Sequence, residues 1–201
     1  FNFKNISLKK VFIKRRIGYG EAANMGISRA CRQAGKSKSR FILLINSDVK
    51  LDKNLLKVLV GHISKRPEVG ILGPKIFSMK RPQEISPIDL PVLAFDKFWG
   101  RMRKVTAEWV NRQVEPVEVA WLSGSCMLIR AEVWKKIGGF DENYFMYWED
   151  ADFCMRAKAY DFKNIFLPEA KVWHEGGGSI GADNPERIYY IKRNSLYFIK
   201  K

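Results

Sequence analysis

FILLINSDV, residues 41–49, is the stretch that decides the fold class. Its five leading apolar residues leave no position to turn toward water, which describes a strand covered on both faces, and they are far too few to span a bilayer. Such a strand is expected at the centre of a sheet with helices on each side. It closes in Asn46-Ser47-Asp48, so polar groups stand at a strand's carboxyl end, where open α/β sheets bind ligands. Upstream, VFIKR (11–15) reads as a further strand. GEAANMGISRACRQAG (20–35) sets Ala22, Ala23, Ile27, Ala30 and Ala34 on helical spacing, ends at Gly35, and is expected to pack closely on the sheet. Downstream, Asp52 is placed to cap a helix with the apolar stripe Leu55, Leu56, Leu59, Val60 and Ile63, stopped before Pro67, and VGILGPKIF (69–77) follows as a strand. From 78 to 111 prolines, bases and the aromatics Phe95, Phe98 and Trp99 interrupt the pattern, which reads as a long loop region. VEVAWLSGSCMLIR (117–130) restores one or two strands, and a short helix runs from Ala131 to Gly138-Gly139. The alternation of strand and helix predicts an α/β domain over 1–201 with a Rossmann-like, mostly parallel central sheet flanked by helices.

Composition limits the functions open to such a domain. At 201 residues and 46% apolar content the chain can bury one core. Its formal charge of +15 favours polyanions, whether nucleic acid, an anionic leaflet or phosphorylated small molecules. Lysine and arginine are spread along the chain without zinc spacing, an aromatic RNA-binding motif or a basic recognition helix, so no nucleic-acid partner is expected. Three cysteines, Cys31, Cys126 and Cys154, form no Cys-x-x-Cys pair and suit a reducing compartment. With no signal peptide and no apolar run of membrane-spanning length, the chain reads as soluble or peripheral. The segment 186–201 interleaves Arg187, Lys192, Arg193, Lys200 and Lys201 with Ile188, Ile191, Leu196, Phe198 and Ile199, and KFWGRMRK (97–104) repeats the mix. A buried helix face explains this as well as lipid does, and an anionic membrane surface is the partner such a basic amphipathic segment would take.

FMYWEDADFCMR (145–156) gathers acids that a basic chain must account for. A helix beginning near Glu149 would hold Glu149, Asp150 and Asp152 in its first turn, where free N–H groups and the macrodipole favour carboxylates. Asp152 and Arg156, four apart, suit an ordinary salt bridge. Glu149 and Asp150 follow Met146, Tyr147 and Trp148, and acids against apolar walls are costly unless used, which points to a pocket. Asp48 is open to two readings, a loop cap or a ligand-binding acid. His174, in VWHEGGGS (172–179), follows the strand-like NIFLP (164–168) and precedes glycines that let a ligand approach the backbone. One carboxylate, one imidazole and an acid pair together suit a divalent ion and a general base.

The ordered set IGYGEAANMGI (17–27), FILLINSDV, SGSCMLIRAEVWKKIGGFDENYFMYWEDADFCMR (123–156), VWHEGGGS and YYIKRNSLYF (189–198) resembles the family 2 inverting glycosyltransferases of GT-A fold, and within them the rhamnosyltransferase-like enzymes of surface polysaccharide synthesis. The resemblance implies transfer of a sugar from a UDP- or dTDP-linked donor to a glycan or lipid-linked acceptor with inversion, in the cytoplasm or peripherally on the inner face of the membrane. It makes Asp150 the catalytic base, ionised at a helix start, and Asp48 and His174 the ligands of Mn²⁺ or Mg²⁺. Gly18, Asn24, Asn46 and Gly124 fall to the donor, and Glu149, Trp148 and Tyr147 to the acceptor. Arg16 stands where the family commonly has asparagine. The family's opening strands, which read the nucleoside, have no counterpart here, so the resemblance also implies an uncovered flank on Phe41–Ile45 that a second copy would cover. A non-catalytic or split partner protein is the alternative.

Overall fold

A computed structural model describes residues 10–33, 39–96, 101–176 and 184–201. The helices are α1 (Tyr19–Gln33), α2 (Leu55–Ser64), α3 (Ala107–Arg112), α4 (Ala131–Ile137), α5 (Glu149–Ala159) and α6 (Pro185–Lys200). The strands are β1 (Phe41–Ile45), β2 (Val49–Leu51), β3 (Val69–Ser78), β4 (Val92–Asp96), β5 (Arg101–Lys104), β6 (Val117–Val119), β7 (Cys126–Arg130) and β8 (Lys163–His174). The main sheet runs β1-β7-β3-β8-β2, with β6 also paired to β8.

The sheet divides its core by the two-residue alternation of strands. Leu72 of β3, Cys126 and Leu128 of β7, and Ile165 and Leu167 of β8 face α2, whose Leu55, Leu59 and Ile63 cover them. Ile71, Met127, Ile129 and Phe166 face the other way, onto Val133 of α4 and Phe153, Cys154 and Ala157 of α5. Strands buried on both faces must be apolar throughout, and β3 is buried from Val69 to Pro74 and on through Ile76. Leu59 and Ile63 have no exposed surface, so each contributes about 1.5–3 kcal/mol by burial. Gly138 ends α4 in the left-handed region at φ 83°, the C-terminal stop that its sequence position implies.

Several expectations change at this level. The α/β class holds, but β3–β8 is the one parallel pairing among the described residues. β1, β3 and β8 do share a direction. The excursion after β3 leaves and returns at the same end of the sheet, so β7 runs back between β1 and β3, antiparallel to both. That insertion puts β1 at the edge of the described sheet, half-buried along its length instead of central and covered. The segment 78–111 is not simply loop: it holds the β4–β5 hairpin and α3, with Thr106 Oγ1 capping the helix by accepting from Trp109 N–H. VFIKR is irregular, and its Arg15 and the following Arg16 are engaged in ion pairs, with Glu21 and with Glu186. Asp52 accepts from Asn54 N–H at 2.8 Å in an Asx turn, and Asn54, not Asp52, is the N-cap of α2.

α6 starts at Asn184, whose side chain accepts from Glu186 N–H, with Pro185 at the first position. It buries Asn194 and Phe198 and exposes Ile188, Tyr189 and Leu196. No helix among the described residues is long and apolar enough to cross a membrane. Gly35, Phe98, Trp99 and Gly177–Ser179 lie outside the described residues.

Candidate active site

A cleft of about 940 Å³ opens where β1 and β8 end. Asn46, Ser47 and Asp48 form one wall with His174. Tyr147, Trp148, Glu149 and Asp150 form another, and Ser123–Ser125 and Tyr19 also line the cleft. Eight of the ten residues singled out from sequence therefore share one cavity: Asp48, His174, Asn46, Gly124, Tyr147, Trp148, Glu149 and Asp150.

Gly18 and Asn24, assigned to the donor from sequence, are not among the lining residues of this cleft, and both make structural contacts. An added Cβ at Gly18 would meet the Phe145 Cα and carbonyl carbon at 2.6 and 2.8 Å, so only glycine lets the chain pass there. Asn24 Nδ2 donates to the Phe140 carbonyl and Asn24 Oδ1 accepts from Phe140 N–H, each at 2.9 Å. The pair fastens α1 to the turn that precedes the acids.

The first wall is built by register. Val49 on β2 pairs with His174 on β8, which sets Asp48 beside the ring; Asp48 Oδ1 lies 3.3 Å from His174 Nε2. The ring's other nitrogen, Nδ1, lies 2.8 Å from Oδ2 of Asp89. Asp89 also accepts from the hydroxyls of Ser86 at 2.5 Å, Ser123 at 2.6 Å and Ser125 at 2.9 Å. Burial alone would push Asp89 up, but the imidazole and the hydroxyls of Ser123 and Ser86 outweigh it and hold the carboxyl below its usual range. Burial likewise works against charge on His174, and Asp89 and Asp48 together overcome it and raise the ring. Sequence reading passed over Asp89. An acid set between Ile88 and Leu90 in SPIDLP (86–91) was a signal that it is not a simple surface residue.

The second wall depends on strained backbone. Phe145, Tyr147 and Trp148 have φ of 59°, 67° and 72°, and left-handed conformations of this kind cost roughly 1–3 kcal/mol per non-glycine residue. Asn194 of α6 offsets that cost: its fully buried amide reaches the carbonyls of Tyr144 and Met146 at 2.7 Å and of Tyr147 at 2.9 Å. The turn delivers Glu149 and Asp150 to the start of α5. Asp150 Oδ2 accepts from Gly124 N–H at 2.9 Å and Oδ1 from Ala151 N–H at 2.8 Å, while Tyr19 donates its hydroxyl to the Gly124 carbonyl at 2.7 Å. Burial raises Asp150 above the usual carboxylate range despite those donors, contrary to the expectation that a helix start keeps it low. Glu149 is pushed up to about 8, by burial first and by Asp150 second, and its Oε2 has no hydrogen-bond partner. Asp152 pairs with Arg156 at 2.7 Å as expected, and also meets Lys201 at 2.8 Å. Trp148 lines the cleft while packing on Trp121 and Phe198, with ring centroids at 5.8 and 5.3 Å.

Among the described residues no three His, Cys, Asp or Glu side chains converge as metal ligands. Asp48 and the Nε2 of His174 are two donors on one wall of an open cavity. Oxygen-seeking cations such as Mg²⁺ and Mn²⁺ are held by one or two protein groups when phosphate oxygens and water complete the shell, so the donor set fits such an ion.

Residues 10–188 match the family model described as glycosyltransferase like family 2. An N-acetylglucosaminyl-diphospho-decaprenol L-rhamnosyltransferase of Mycobacterium tuberculosis is 31% identical over 196 residues, which cover 91% of this chain and 64% of that protein. Rhamnosyltransferase WbbL of Escherichia coli is 25% identical over 160 residues, 78% of this chain and 60% of its own. The chain thus spans less than two thirds of either relative. Among solved structures, that of GalNAc-T7 with UDP, GalNAc and Mn²⁺ superposes with a TM-score of 0.61 at 18% identity, over 81% of this chain and 31% of that one, a likeness of fold.

Proposed function

We propose, from the premise that this chain belongs to glycosyltransferase-like family 2, that the cleft transfers a sugar, rhamnose being the first choice, from a nucleotide diphosphate to a hydroxyl of a glycan or lipid-linked acceptor with inversion. The observation that carries this reading is that one cavity is lined both by Asp150, seated on backbone N–H groups, and by the Asp48–His174 pair. In a single displacement the acceptor oxygen bonds to the anomeric carbon from the face opposite the departing diphosphate, whose oxygen keeps the electron pair of the broken bond. The acceptor's proton goes to the Asp150 carboxylate. The Gly124 and Ala151 N–H groups occupy one lone pair on each Asp150 oxygen and fix the carboxylate's orientation without blocking a second approach. Its raised proton affinity suits a base that must take a proton from a hydroxyl. Glu149, Trp148 and Tyr147 offer the acceptor a polar group and aromatic faces, and Asn46 and Gly124 face the donor side. Asp48 and His174 would hold Mn²⁺ or Mg²⁺, which supplies charge neutralisation for the leaving diphosphate.

Calorimetry of the full-length protein with dTDP- and UDP-sugars, with and without Mn²⁺, tests this reading. Binding should need the ion and should weaken at least tenfold in Asp48→Ala and in His174→Ala. Donor affinity that ignores Mn²⁺ and both substitutions would refute the assignment of this wall.

A further inference from the structure

We propose that Asp89 is a positioning residue that dictates the His174 tautomer, keeping the proton on Nδ1 so that Nε2 turns a free lone pair toward Asp48. The consequence for ion binding rests on the functional reading above; the tautomer itself does not.

The argument is one of donors and acceptors. An ionised carboxylate can only accept, and has about four lone-pair sites. Asp89 presents two oxygens to four partners: Oδ2 to Ser86 Oγ and His174 Nδ1, Oδ1 to the hydroxyls of Ser123 and Ser125. Its side chain is 3% exposed, so water cannot stand in for any of them. With every site filled by a donor, the ring nitrogen at 2.8 Å must be the one carrying hydrogen. The neutral imidazole has a single N–H, and Nε2 is then left as the acceptor. That nitrogen is the one facing Asp48. A histidine that binds metal through one nitrogen commonly donates the other N–H to a carboxylate, which fixes the ring and strengthens the ligand.

The serines show that the carboxylate is itself held in place. Ser86 belongs to the excursion after β3, whereas Ser123 and Ser125 belong to the turn leading into β7, and Ser125 N–H donates to Ser123 Oγ at 3.3 Å. Asp89 therefore pins three separate segments, the excursion, the Ser123–Ser125 turn and the end of β8, into one wall. The same turn carries Gly124, whose N–H seats Asp150, so the two walls share a single short connection.

The test reads the ring directly. The chain has two histidines, His62 and His174, so imidazole ¹⁵N spectra of this chain labelled at histidine are assigned with one His62→Gln variant. At a pH where the ring is neutral, wild-type His174 should show hydrogen on Nδ1. Asp89→Asn, which can present an amide N–H to Nδ1, should move it to Nε2 and weaken Mn²⁺ binding, counted by the resonance of free Mn²⁺, about 10–100-fold. Ser86→Ala keeps the carboxylate and should keep the tautomer. A wild-type ring protonated on Nε2 would overturn the proposal without recourse to any Asp89 variant, and so would an Asp89→Asn ring that stays on Nδ1. Swapped tautomers with undiminished Mn²⁺ affinity would sever the link to ligation. Wild-type protein with the Nδ1 tautomer but no Mn²⁺ binding would count against the ion and leave the role of Asp89 standing.

Discussion

Two acids in this cleft are buried to the same degree and treated in opposite ways. Asp89 and Glu149 are each 7% exposed, yet Asp89 is held below the usual carboxylate range and Glu149 is pushed up to about 8. Burial opposes ionisation in both. The difference lies in what surrounds the oxygens: three hydroxyls and an imidazole for Asp89, and for Glu149 a neighbouring carboxyl together with an Oε2 that nothing reaches. One wall of the cleft is therefore electrostatically finished, while the other leaves Glu149 short of partners, as the proposed acceptor side would require.

The contrast would break most visibly at Asp150. Asp150→Asn removes the proposed proton acceptor and should lower transfer about 10²–10⁴-fold while donor affinity stays near wild type, since the residue makes no contact with Asp48 or His174 among the hydrogen bonds of its carboxylate. Single-turnover rates beside calorimetry would show it; a variant keeping more than about a tenth of the rate would place the base elsewhere.

A smaller effect sharpens the comparison by asking what holds the unfinished wall in shape. Asn194→Ala strips the amide from the carbonyls of Tyr144, Met146 and Tyr147, and buried acceptors left unpaired cost about 1–3 kcal/mol. Denaturant midpoints should fall accordingly. A change below about half a kcal/mol would mean that the left-handed turn keeps its form unaided.

A separate effect is a slope with pH. Glu149 carries its proton in the folded chain up to about 8, whereas the unfolded chain releases it near 4.5. The folded state then binds more protons than the unfolded one between those values, so this group's contribution to stability is full below the lower pKa and is lost as pH rises through the upper one. Glu149→Gln has no proton to lose. The gap in Tm between variant and wild type should widen in the variant's favour from pH 5 to pH 9 by about ten degrees, since most of the shift from 4.5 to about 8 is felt over that range at about 1.4 kcal/mol per pH unit, and each 1 kcal/mol moves Tm by roughly 2–4 °C in a domain of this size. A gap independent of pH would show that Glu149 ionises as it would in water.

What sequence revealed and what it hid follow the range of the interactions. Asp48 at a strand end, His174 after an apolar strand and Glu149-Asp150 at a helix start are local arrangements, and each stands in the cleft. Strand direction was misjudged because β7 takes its place from a return at the same end of the sheet, which no window of residues contains. Gly18 and Asn24 have structural roles that their sequence neighbours do not reveal, because a glycine at a close approach and an asparagine bonded to a distant backbone can serve a clamp as readily as a ligand. Asp89 and Asn194 act across 85 and about 50 positions, and nothing beside them in the chain names their partners.

Asn194 also sets an order in time. The turn that carries the two acids lies 46 to 50 positions ahead of the residue that clasps it. As the chain leaves the ribosome, the sheet and its covering helices α2, α4 and α5 can gather before α6 has emerged. The acid wall cannot be secured until it has. A nascent chain that has not yet released α6 can thus be well folded through α5 and still lack the clasp that holds Tyr147 and Trp148 in place.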